Sequence, residues 1–284
     1  MQISRMDLTD VGDNPKRLAA ALVDQTGIPM GRVPIREIAL AAGIVQIDEK
    51  PDLSFEGVLV TLPAKDKGSM LIRKDRPETR KRFSIGHELG HFLIGSHVPS
   101  GAGFHCSGKD MAVEKFKPAD RAAKMEAEAN IFAAEVLMPR KFITAWMTRR
   151  LEVDIAHVVD LSDEFEVSRE AAARRFRDFA HEPVAFVFSK DGRVRYSLRH
   201  DDFPRIGPGK DDQVPHASVT AQFGGGAGKC SKLDEVERDT WIADGGRGAI
   251  CEQVLVQLNG YRLTMLALTE DDEGQEWEGP SFRR

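Results

Sequence analysis

The stretch "RFSIGHELGHFLIGSH" at residues 82–97 sets a histidine beside a glutamate and a second histidine four positions after the first. On an α-helix, residues i and i+4 share a face one turn apart. His87 and His91 can therefore aim their imidazoles at a common point. Glu88 sits beside them, placed to reach the open side of a bound cation rather than the cation itself. This is the H-E-x-x-H pattern, in which two histidines hold zinc and the glutamate serves as general base. Two histidines that merely share an apolar helix would spell the same letters by chance. Here Phe83, Ile85, Leu89, Phe92 and Leu93 surround the motif, as expected of a helix turned into a core.

Zinc in a catalytic site takes three protein ligands and keeps one position open. The third ligand is expected on another element. Residues 118–137, "PADRAAKMEAEANIFAAEVL", are dominated by strong helix formers and offer Glu126, Glu128 and Glu135. Glu126 and Asn130 are i,i+4 neighbours. The expectation is that Glu126 completes the set around Zn2+, while Asn130 hydrogen-bonds a ligand imidazole and fixes its tautomer. Glu128 is turned roughly 200° from Glu126 at about 100° per residue, so it is expected to face elsewhere.

Composition narrows the function classes. The 284 residues carry 40 basic and 45 acidic side chains, a formal charge of -5, and 41% are hydrophobic. A mildly acidic chain is not drawn to nucleic acid or membrane by its overall field. The three cysteines (Cys106, Cys230, Cys251) form no C-x-x-C pair and no disulfide framework. No signal-peptide core and no apolar run approaching a membrane span is seen, so a cytoplasmic protein without membrane contact is expected.

Outward from the motif, "DNPKRLAAALVDQTGI" reads as a helix with Asn14 as N-cap and Pro15 at its first position. "VPIREIALAAGI" reads as another, closed by Gly43. "GVLVTL" and "SMLIRK", separated by "PAKDKG", suggest a small antiparallel sheet. "SMLIRK" is expected at its edge, with Met70, Leu71 and Ile72 accepting an extended peptide. Residues 96–118 read as a long loop. Its Cys106 thiolate could cap the metal, although a partly buried small side chain is the plainer reading; His97 and His105 read as loop histidines. "PVAFVFSKDGRVRYSL" and "AICEQVLVQLNGYRLTMLAL" read as hairpins turning at Asp191-Gly192 and Asn259-Gly260. "FGGGAGKCS" fails as a phosphate-binding loop, with Phe223 and Cys230 where glycine and Ser or Thr are needed, so no nucleotide is expected.

Through "RFSIGHELGHFL" and "EAEANIFAAEVLMP", the chain resembles the ImmA/IrrE metallopeptidases over residues 14–140. The resemblance implies a gluzincin-like core with His87, His91 and Glu126 as metal ligands and Glu88 as general base. It also implies regulatory proteolysis: the chain would cleave a helix-turn-helix repressor encoded nearby, derepressing stress-response or mobile-element genes. One branch of that family adds a helix-turn-helix-like segment and a GAF-like C-terminal domain.

The expected fold is therefore α+β. It comprises a zinc metallopeptidase domain at 1–140, a helix-turn-helix-like unit at 141–181, a strand-rich, sensor-like α/β domain at 182–270 and an acidic tail at 271–284. Within "IAHVVDLSDEFEVSREAAARRFRDF", residues 155–179, Arg169, Arg174, Arg175 and Arg177 could meet DNA phosphates. Interleaved acids leave few side chains to read bases, so DNA is the weaker expectation, and Ala172 and Phe176 are expected to pack on the peptidase core. The alternative to an enzyme is a non-catalytic zinc-fold sensor that binds a repressor or DNA.

Overall fold

The computed structural model describes residues 1–99, 103–112, 120–150, 152–244 and 247–268. The expected acidic tail lies outside them. The protein is α+β and divides into two compact units, Met1–Trp146 with Leu161–Ala171, and Met147–Asp160 with Ala172–Arg284. This grouping differs from the three-part division expected above.

The first unit opens with helices α1 (Arg5–Val11), α2 (Pro15–Thr26) and α3 (Ile35–Ala41). Asn14 caps α2 by accepting from the Arg17 amide, and Pro15 occupies the first position, where its missing N–H costs nothing. Gly43 follows α3 at φ 114°, a conformation that only glycine adopts freely. Strands β1 (Ile44–Lys50), β2 (Gly57–Thr61) and β3 (Gly68–Arg73) precede helix α4 (Glu78–Leu93), and β4 (Gly103–Cys106) follows it. After β4 come a 3-10 turn at Asp110–Ala112 and helix α5 (Arg121–Leu137), which starts at the Asp120 cap.

The sheet runs β1-β3-β2-β4. It is mixed rather than antiparallel, because β1 pairs with β3 in parallel. β3 is also not an edge: β1 takes one side and β2 the other. The backbone of Met70, Leu71 and Ile72 is thus committed on both flanks and cannot receive a peptide strand. β4, four residues within the expected loop, is an edge instead, paired only with β2 among the described residues.

α4 and α5 approach closely because small residues face each other. A Cβ on Gly86 would stand 3.3 Å from Ala133 Cβ, and one on Gly90 3.2 Å from Ala129 Cα. Each of these glycines precedes a motif histidine, so the seam of closest approach runs alongside His87 and His91. α6 (Arg140–Met147) follows α5, and Glu135 accepts from its Arg140 amide.

α7 (Ile155–Phe165) and α8 (Arg169–Phe179) are joined by a three-residue turn in which Glu166 has φ 47°. Ser168 accepts from the Ala171 amide, as an N-cap should. In the first unit, the buried Arg82 of α4 donates to the carbonyls of Val33, Phe165 and Glu166.

In the second unit, β5 (Val184–Lys190), β6 (Arg193–Arg199), β7 (Asp234–Glu237), β8 (Ala249–Val256) and β9 (Tyr261–Leu268) form an antiparallel sheet ordered β6-β5-β9-β8-β7. Both hairpins turn where expected, through two residues between β5 and β6 and through residues 257–260 between β8 and β9, with positive φ at Asp191, Gly192, Asn259 and Gly260. One side of the sheet buries Ala185, Val187, Ile250 and Leu266 with Phe203 and Trp241. The buried Glu252 accepts from Trp241 Nε1 and from the Val219 and Thr220 amides at the start of the short α9 (Val219–Gln222). Phe176 packs edge-on to Phe186 of β5 within the second unit.

Candidate metal centre

α4 presents His87 and His91 from successive turns, both wholly buried, and α5 presents Glu126 to them. His87 Nε2 stands 3.1 Å from His91 Nε2 and 3.1 Å from Glu126 Oε2, and His91 Nε2 stands 3.5 Å from the same oxygen. A tetrahedral cation with bonds of about 2.0–2.1 Å holds its donor atoms about 3.4 Å apart. The observed triangle matches that spacing.

The protonation states agree. His87 Nδ1 lies 2.9 Å from Asn130 Oδ1, while Asn130 Nδ2 donates to the Asp110 carbonyl at 3.2 Å. That second bond fixes which end of the amide faces the ring. Nδ1 of His87 must then carry the proton, leaving a bare lone pair on Nε2 facing the centre. Burial lowers His91 to about 3, which keeps its imidazole neutral. Burial pushes the Glu126 carboxyl up, but His87 and His91 outweigh it and leave it lowered, hence ionised. Two imidazoles and one carboxylate converging in a buried space could hold a cation.

A fourth donor was undervalued in the sequence. Cys106, on β4 opposite Gly57 of β2, joins His87, His91 and Glu126 with all four ligand atoms within 4.8 Å of one another. Burial above all, then Glu88 and Glu126, raises its thiol far above the ordinary value. A cation at the centre reverses that sign, since a coordinated thiol is deprotonated.

Glu88 is fully buried and neither oxygen has a hydrogen-bond partner of good geometry. Burial raises its pKa well above the carboxylate range, and the Cys106 thiol lies beside it. Such a group is costly unless something charged compensates it. Gly57 makes its position possible, because a Cβ there would stand 2.5 Å from Glu88 Oε1.

His97, expected as a loop histidine, is buried with its Nδ1 3.1 Å from His91 Nδ1. Glu128 does face away from the centre, but its Oε2 lies 3.2 Å from His97 Nε2. Neither partnership follows a helical spacing, because α4 ends at Leu93 and the chain folds back through Gly95 and Ser96. The Asp13 carboxylate accepts from both of those amides, and Lys65 Nζ donates to the carbonyls of His91 and Ile94. Phe104 stacks on the His91 ring at 4.4 Å between centroids. His105, though on β4, has a side chain outside the described set.

Residues 45–177 match the family described as the IrrE N-terminal-like domain of the M78 peptidases. Among solved structures, the chain is similar to a Mycobacterium tuberculosis transcriptional regulator. The TM-score is 0.56 at 14% identity, over 96% of this chain and 83% of that one, a likeness that speaks to the fold alone. No curated protein matches. Among the described residues, no helix is long and apolar enough to cross a membrane.

Proposed function

We propose that this chain, whose residues 45–177 match the IrrE N-terminal-like domain family, is a cytoplasmic zinc endopeptidase that cleaves a helix-turn-helix transcriptional repressor. The observation that carries this reading is the triangle of His87, His91 and Glu126 donor atoms, with edges of 3.1, 3.1 and 3.5 Å, beside an unpartnered buried Glu88.

Zinc bound there supplies Lewis acidity, polarising a peptide carbonyl and making water acidic enough to lose a proton near neutral pH. His87, His91 and Glu126 would hold the ion. Glu88, ionised once a cation at the centre offsets its burial, takes the proton from the attacking water and returns it to the leaving amine. Gly57 leaves room for that carboxylate. An extended substrate adds to the edge of β4 that is unpaired among the described residues, where Phe104 and Cys106 border the centre, in place of the β3 site expected from sequence. DNA is a poor fit to α8, where Arg175 is buried and Arg177 is paired with Asp178 at 2.6 Å.

The test is incubation with the repressor encoded beside this protein. Wild type yields two fragments, and Glu88→Gln yields none while still binding zinc. Cleavage at full rate by Glu88→Gln contradicts the assignment of the base.

A second reading is favoured by Cys106. With the thiolate as a fourth ligand the metal position is closed, as in structural rather than catalytic zinc sites. A chain locked in that state is a sensor that binds the repressor without cutting it. In the same incubation it gives a stable complex and no fragments.

A further inference from the structure

We propose that Glu128 and His97 form a relay that holds His91 in its metal-binding tautomer; the inference rests on the metal-centre reading above. His91 and His97 meet nitrogen to nitrogen, Nδ1 to Nδ1, at 3.1 Å. Two such atoms attract only if one carries a proton and the other a lone pair. Two arrangements satisfy that rule, and they have opposite consequences at the centre.

In one, His91 Nδ1 donates to His97 Nδ1, and the lone pair of His91 Nε2 faces Glu126 and His87. In the other, His97 donates to His91, and a neutral His91 then points an N–H at the centre, where no cation can be bound. The pair alone does not choose between them.

Glu128 chooses. Its Oε2 lies 3.2 Å from His97 Nε2, and a carboxylate only accepts at neutral pH. A proton must therefore sit on His97 Nε2. Neutral His97 then has a bare Nδ1, which must accept from His91, and His91 is left with its Nε2 lone pair free for metal. The far oxygen of Glu128 lies 3.7 Å from Lys124 Nζ one turn earlier on α5, which steadies the carboxylate. His97 is kept under His91 by the turn that Asp13 and Lys65 pin.

The two ligand histidines thus use different devices. His87 is set by one neutral amide, Asn130, whose orientation is fixed by a backbone carbonyl. His91 is set by a charged group two steps away on the same helix as Glu126. Both His97 and Glu128 are positioning residues and touch neither substrate nor metal.

The test is zinc affinity of the purified full chain by competition with a chromogenic chelator, beside melting of the metal-free proteins. Outer hydrogen-bond partners of this kind are worth roughly 10- to 100-fold in metal affinity. Glu128→Ala loses an amount of that order with its metal-free melt unchanged. Glu128→Gln, whose amide oxygen still accepts from His97 Nε2, keeps most of the affinity. His97→Phe, of similar bulk but unable to accept from His91, matches the alanine variant and serves in its place if that variant fails to fold. Zinc affinity within about twofold of wild type in Glu128→Ala or His97→Phe overturns the relay. So does an equal loss in Glu128→Gln, which would make charge rather than acceptance the cause. Failure of wild type to bind zinc at all overturns the metal centre itself, and the relay with it.

Discussion

At Gly57 a single added methyl group would stand 2.5 Å from Glu88 Oε1, closer than any real Cβ contact. Gly57→Ala must therefore push the carboxylate out of its place while leaving His87, His91 and Glu126 untouched. The expected result is a loss of cleavage on the order of 100-fold, the scale of general-base catalysis, with zinc content unchanged. Assay of both quantities on one preparation checks it, and a parallel loss of zinc would show that β2 supports the ligands rather than the base. At this scale His87, Glu88, His91, Glu126 and Asn130 were legible, because i,i+4 spacing is a rule of local geometry. Cys106 was raised only as the lesser alternative, and the partnership of His97 with Glu128 was not foreseen. Each depends on where the chain goes after α4 ends at Leu93, and spacing carries no information across a reversal.

At the scale of elements, the site exists because two helices lie close enough for side chains of one to meet those of the other. Gly90 opposite Ala129 and Phe132 permits this, with 3.2 Å from a would-be Cβ to both Ala129 Cα and Phe132 Cδ1. Gly90→Ala raises intrinsic helix propensity by about 1 kcal/mol. Overpacking a fitted seam costs about 1–3 kcal/mol. The seam is expected to win because the contact is to backbone, which cannot rotate away. Denaturant unfolding should show net destabilisation together with weaker zinc binding, since the histidines move with the helix. A stabilised variant with full zinc affinity would mean the seam is looser than it looks.

The elements missed from sequence were those lacking a local signature. β4 is only four residues long, and its Gly103 reads as a loop residue, yet a Cβ there would strike the Leu59 carbonyl. The parallel pairing of β1 with β3 could not be seen either, because an alternating pattern marks a strand without naming its neighbour.

For the whole molecule, legibility followed the source of order in each unit. In the second unit, Asp191-Gly192 and Asn259-Gly260 announced their hairpins because both turns need residues that tolerate positive φ. Their neighbours in the sheet, and the burial of Glu252 beneath Trp241, depend on long-range pairing and stayed hidden. In the first unit, α2 was marked by its Asn14 cap, α3 by Gly43 beyond its end, and α4 and α5 by apolar faces and helix formers, whereas the sheet order was not marked. The His87, His91 and Glu126 donor atoms, with Cys106 beside them, form a cluster that could hold a cation. Zinc-edge X-ray absorption on the purified full chain, with metal quantified per chain, tests this most directly. One zinc per chain is expected, with nitrogen and oxygen neighbours only, at about 2.0–2.1 Å; a sulfur at about 2.3 Å would instead mark the closed, non-catalytic site of the second reading. Absence of stoichiometric zinc, or zinc retained unchanged after His91→Ala and Glu126→Ala, would contradict it.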